Sequence, residues 1–136
     1  MLIINNNNIM CTGMVTLSPT MVAPVCHVGD PLELTCTAPV QFIRWTILHV
    51  NEQGTFVEAA SAQINSLDGN QMTEREVNSS TFTFMRTSAP DTSPLISTVS
   101  VDSISIGLNG TVVNCSYIAN PTTLASTTIQ IIDNSE

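Results

Sequence analysis

An all-β architecture, an antiparallel sandwich or barrel of about eight or nine strands, is expected from three features of the chain. Residues 31–38, "PLELTCTA", alternate without a break: Leu32, Leu34 and Cys36 share one side, and Glu33, Thr35 and Thr37 the other. This is the period-2 pattern of a half-buried strand. Other strand-like runs are spread over roughly 120 residues, separated by frequent turn signals and without a convincing helical repeat. The 43% hydrophobic content, accompanied by many Thr, Ser, Val and Ile residues, suits pleated sheet and argues against disorder. With 136 residues the chain fits one domain, large enough to bury about two-thirds of its unfolded surface.

The elements follow in order. Residues 1–12 of "MLIINNNNIMCTG" are expected to form a loosely ordered tail, with Asn5 to Asn8 as a low-complexity stretch, and residues 13–133 to form the domain. The apolar run there is too short, and lacks the basic flank, for a secretory signal peptide. No segment approaches the roughly 20 apolar residues of a bilayer span. Either a cytosolic protein or a piece of a longer exported one fits these features. "MVTLSP" makes a short first strand ended by Pro19, and "TMVAPV" continues it after a kink. In "FIRWTILHV", Ile43, Trp45 and Ile47 share one face and Arg44, Thr46 and Leu48 the reverse.

"GTFVEAA" is a strand after a turn at Glu52, Gln53 and Gly54, and a second turn lies at Asp68, Gly69 and Asn70. "QMTEREV" and "STFTFMRT" come next, the latter setting Phe82, Phe84 and Arg86 against Thr81, Thr83 and Met85. After a loop with Pro90 and Pro94, "LISTVSVDSISI" runs to Ile106, and Gly107 to Gly110 break the chain. "TVVNCSYIA" carries a cysteine, Pro121 marks a turn, and "STTIQII" closes the domain with Ile129 and Ile131 inward.

Charge excludes some functions. Eleven acids face three arginines, Arg44, Arg75 and Arg86, with no lysine, for a net charge of −8. Three scattered cations cannot neutralise a phosphate backbone, so neither nucleic acid nor an anionic membrane surface is an expected partner. Association with a membrane is expected only through a parent protein. The chain contains no GxSxG, HExxH or glycine-rich phosphate loop, so no enzymatic activity, catalytic residue or cofactor is expected. Glu74 and Glu76 around Arg75 read as a solvated strand edge that discourages sheet-to-sheet association. No CxxC occurs, and His27 and His49 are isolated, so no metal site is expected.

Four segments taken together point further: "GDPLELTC" ending at Cys36, Trp45 one strand later, "VSVDSI", and "NGTVVNCSY" with Cys115. This combination resembles the immunoglobulin superfamily over about Met14 to Ile132. The resemblance implies an immunoglobulin-like antiparallel β-sandwich with Greek-key connections. It also implies a disulfide between Cys36 and Cys115 bridging the two sheets, with Trp45 packed beside it. The implied core comprises Leu34, Val99, Val101, Ile104, Val113, Ile129 and Ile131. The 79-residue separation of the cysteines (115 − 36 = 79) is long and implies extra central strands, as in variable or intermediate-type domains. Val113 stands where the tyrosine corner belongs, and Asn109 where an aspartate is usual. The chain is therefore identified as a divergent member, similar to invertebrate cell-surface domains. Without the resemblance, two buried free thiols are the alternative for Cys36 and Cys115.

Cys11 and Cys26 form a possible second bridge, with pairing of Cys11 to a preceding domain as the other option. Asn78, Asn109 and Asn114 each open an N-glycosylation sequon. If Cys115 faces inward, Asn114 faces outward.

The expected function is that of an extracellular recognition or adhesion module, one domain of a longer secreted or cell-surface protein, acting by non-covalent protein binding. A structural spacer, or an accessory domain of a hydrolase or viral particle, is the alternative. Two surfaces are candidates. Loops 37–41, 51–55 and 120–125 would gather at one end of the sandwich, but they lack the aromatic content of a paratope. The other is the sheet face carrying Phe42, Arg44, Thr46 and Leu48, which either suits another immunoglobulin-like domain or is simply covered by extra strands or a loop.

Overall fold

The structure, a computed structural model, describes residues 2–5, 8–16, 25–39, 41–67, 72–117 and 124–132. The alternating runs become strands: β1 (Leu2–Asn5), β2 (Asn8–Thr16), β3 (Val25–His27), β4 (Leu32–Ala38), β5 (Phe42–Val50), β6 (Phe56–Asn65), β7 (Met72–Val77), β8 (Ser80–Arg86), β9 (Leu95–Val101), β10 (Val112–Tyr117), β11 (Leu124–Thr128) and β12 (Gln130–Ile132). A back sheet has the order β1-β2-β4-β9-β8-β7, and a front sheet the order β11-β10-β5-β6. A short third sheet pairs β12 with β3 in parallel. The arrangement is an immunoglobulin-like sandwich. Among the described residues no helix is long and apolar enough to cross a membrane.

Three differences from expectation have local causes. Residues 2–5 and 8–12, expected in a loosely ordered tail, form a hairpin with Asn5 opposite Asn8, and its second strand continues into the expected "MVTLSP" strand as far as Thr16. Their Leu, Ile and Val residues favour sheet, and β2 extends the back sheet by running parallel to β4. With β1 added and the closing run divided into β11 and β12 around Ile129, twelve strands lie among the described residues where eight or nine were expected. The run expected to reach Ile106 stops at Val101 and leads into a 3-10 turn, Ile106–Leu108, at the predicted glycine break. The expected strand "TMVAPV" is represented by β3 only from Val25, since residues 17–24 lie outside the described residues.

Alternation delivers the core. Leu34, Cys36, Ile43, Trp45, Ile47, Phe82, Phe84, Val99, Val101, Ile104, Val113, Cys115, Ile129 and Ile131 are all buried. Val113 fills the tyrosine-corner position with an apolar side chain that needs no partner. Cys36 of β4 and Cys115 of β10 form a disulfide across the sheets, with their Cα atoms 6.5 Å apart.

A second cross-sheet link lies directly beside it. Ser97 is the register partner of Cys36 in the back sheet, and Trp45 that of Cys115 in the front sheet. Trp45 Nε1 donates to Ser97 Oγ at 2.8 Å, and Ser97 Oγ donates to the Met85 carbonyl at 2.6 Å. A covalent strut and a hydrogen-bonded strut thus span the same layer side by side. The Trp45 ring lies 6.2 Å from Phe84, which lies 6.4 Å from Phe82, within the range of favourable aromatic pairs.

The turn between β5 and β6 is held by one side chain. Asn51 Oδ1 accepts from the backbone N–H groups of Gln53 (2.9 Å) and Thr55 (3.0 Å), while Gly54 supplies the left-handed conformation at φ +80°. Asn51→Ala is expected to destabilise the protein by about 1 kcal/mol, read as a lower urea midpoint at unchanged slope.

Candidate functional site

The outer face of the front sheet collects the predicted surface residues. On β5, Ile43, Trp45 and Ile47 turn inward, which sends Phe42, Arg44, Thr46 and Leu48 outward. Phe42 and Arg44 are exposed, and Thr46 and Leu48 half-buried. Among the described residues no strand or loop covers this face: Phe42 is 44% exposed and Phe56 52%.

Register builds the face in rows. Arg44 sits between Gln63 of β6 and Ser116 of β10. Thr46 sits between Ser61 and Asn114, and Ser126 of β11 lies beyond Asn114. Leu48 sits between Glu58 and Val112. Val50 pairs with Phe56 at one end of β5, and Phe42 with Asn65 at the other. The register shift between Ile47 and Leu48 brings Glu58, not Ala59, alongside Leu48 and so places a carboxylate on the face. Glu58, Val50 and Phe56 were not among the predicted face residues. The apolar pair flanking a turn was a visible signal for Val50 and Phe56, but a bulge leaves no signature in alternation.

The expected loop cluster is different in the structure. The Ser66 N–H donates to the Gln41 carbonyl at 2.9 Å, and the Asp91 N–H to the Ser66 carbonyl, which unites the loops after β4, β6 and β8 at one end. Loop 51–55 follows β5, which runs away from that end, so it belongs to the opposite end. Of the stretch 120–125, residues 120–123 lie outside the described residues, and Leu124 and Ala125 belong to β11.

At the opposite end His49 joins three elements. Its Nδ1 lies 3.1 Å from Thr111 Oγ1, and its Nε2 lies 3.0 Å from Asn78 Nδ2, which also donates to the Gly107 carbonyl at 3.2 Å. An amide nitrogen only donates, so Nε2 accepts and the Nδ1–H donates to Thr111.

The sequon asparagines lie in three settings. Asn78 is exposed in the β7–β8 turn at φ 49°, Asn109 is exposed after the 3-10 turn, and Asn114 is half-buried mid-strand. Of the pair Cys11 and Cys26, Cys26 is buried and disulfide-bonded, and the side chain of Cys11 lies outside the described residues. Glu74, Arg75 and Glu76 are exposed on β7, an edge of the back sheet. Among the described residues no group of three or more His, Cys, Asp or Glu side chains is placed to hold a metal ion. No protein-family model matches the chain, and neither a curated protein nor a solved structure matches it.

Proposed function

We propose that the chain is an immunoglobulin superfamily domain serving as an extracellular recognition or adhesion module, and that it pairs through the open face of its front sheet with a second copy of itself. The observation that carries this reading is the uncovered face itself, with its exposed aromatic residues. The buried disulfide and the sandwich support the extracellular setting, because such bonds persist in oxidising compartments.

The layout of the face favours self-pairing. A two-fold axis along the row of Ser126, Asn114, Thr46 and Ser61 exchanges the two ends of β5. Phe42 of one copy then stacks over Val50 and Phe56 of the other, and Arg44 lies near Glu58 of the other. Such an isologous contact repeats each favourable pair twice. The four strands offer about 500 Å² per copy from their spacing and rise, the low end for a specific interface, so the dimer is weak. Weak, multiply repeated contacts suit adhesion.

Sedimentation over a wide concentration range tests the reading. Reversible dimerisation is expected, weakened about tenfold or more by Arg44→Glu and restored when Glu58→Arg is added to that variant. A monomer at every concentration, or indifference to Arg44→Glu, would overturn the self-pairing and favour a structural spacer.

A further inference from the structure

We propose that, of the three sequons, Asn109 is the one that carries an N-linked glycan, while Asn78 and Asn114 remain bare. The inference rests on the extracellular reading above, and it concerns the chemistry of three amide nitrogens. In the transfer, Nδ2 bonds to the anomeric carbon of a lipid-linked diphospho-oligosaccharide. The bond from that carbon to the diphosphate oxygen breaks, the amide releases one proton, and the lipid diphosphate departs. The product amide keeps its carbonyl oxygen and one N–H.

Asn78 uses both of its N–H groups in the folded protein, one toward His49 Nε2 at 3.0 Å and one to the Gly107 carbonyl at 3.2 Å. A glycan on Nδ2 removes one donor and forces a sugar between the β7–β8 turn and the end of β5. Asn114 is in the middle of a sheet, flanked by Thr46 and Ser126, and its Oδ1 is buried without a hydrogen-bond partner. A sugar there would lie across the open face.

Asn109 differs in both respects. Its working atom is Oδ1, which accepts from the Ile131 N–H at 2.8 Å, and that oxygen survives glycosylation. Its Nδ2 has no partner among the described residues. The next residue, Gly110, has φ +84° and open space around the position of an added Cβ, so the turn projects into solvent. The glycan therefore leaves from a turn whose hydrogen bonds it does not disturb.

The test is secretion of the full chain behind a leader peptide from a eukaryotic host, followed by intact-mass measurement and glycopeptide mapping. One glycan is expected, mapped to Asn109, released by peptide N-glycosidase and absent from Asn109→Asp. That substitution keeps an acceptor oxygen for Ile131. Asn78→Gln and Asn114→Gln should retain the full glycan mass. A bare Asn109, or a glycan on Asn78 or Asn114, overturns the proposal. Mapping of the unsubstituted chain decides the matter alone if a variant fails to secrete. A secreted monomer glycosylated at Asn109 would sink the self-pairing and leave this inference intact, and a bare dimer would do the reverse.

Discussion

Replacing Cys36 and Cys115 together by alanine is expected to lower the thermal midpoint by on the order of 15 °C. The bridge closes a loop with a sequence separation of 79 residues, and the chain-entropy model assigns such a closure about 4.5 kcal/mol. That is a large share of the roughly 5–15 kcal/mol by which a domain is usually stable. Both residues are fully buried, so removing two sulfur atoms also leaves a small void between the sheets. Calorimetry of the double variant, beside the parent protein with and without reductant, measures the effect. A variant melting with the oxidised parent would show that the strut contributes nothing. The double substitution is preferred because Cys36→Ala alone leaves a buried thiol at Cys115 free to exchange.

Trp45→Ala is expected to cost about 3–5 kcal/mol, the range for truncating a fully buried large aromatic. Trp45 is buried, packs 6.2 Å from Phe84, and donates its indole N–H across the sandwich to Ser97. Finer substitutions separate packing from hydrogen bonding. Ser97→Ala strands the indole N–H in an apolar layer and should cost about 1–3 kcal/mol. Trp45→Phe removes the donor but leaves Ser97 bonded to the Met85 carbonyl. A double-mutant cycle between these two changes should show coupling of about 1 kcal/mol, whereas additive costs would mean that the bond is energetically idle. Because this strut adjoins the disulfide in both sheets, the Trp45 and cysteine substitutions should themselves be non-additive.

Alternation made most of the sandwich legible. β4 follows directly from "PLELTC", and the inward set Ile43, Trp45 and Ile47 fixes which way Arg44 and Thr46 point, because the side-chain period of a strand is two. The pairing of the strands was not legible in the same way. Nothing in "QMTEREV" shows that β7 joins the back sheet beside β8, since an edge strand with exposed charges suits either layer. The misplaced loop 51–55, by contrast, was legible: it and loop 37–41 flank the single strand β5 and so lie at its opposite ends. The asparagine run concealed the β1–β2 hairpin because composition carries no information about partners. Ser97 was within reach, since a hydroxyl at an inward position of "LISTVSV" requires a hydrogen-bond partner. Identifying that partner as Trp45 needs the cross-sheet register.

The long-range pairing of the strands bears on how the polypeptide is made. β4 takes its partner from β9, β5 from β10 and β3 from β12, so the centre of each layer joins segments synthesised far apart. A nascent chain that has emerged only through β8 holds the three strands β1-β2-β4 and the hairpins β5–β6 and β7–β8. It has no β9 or β10 to place between or against them. Two-stranded ribbons are marginal in water, and Phe82 and Phe84 are then uncovered. Production on the ribosome thus passes through a window of half-built, exposed sheet that closes only when the last strands arrive.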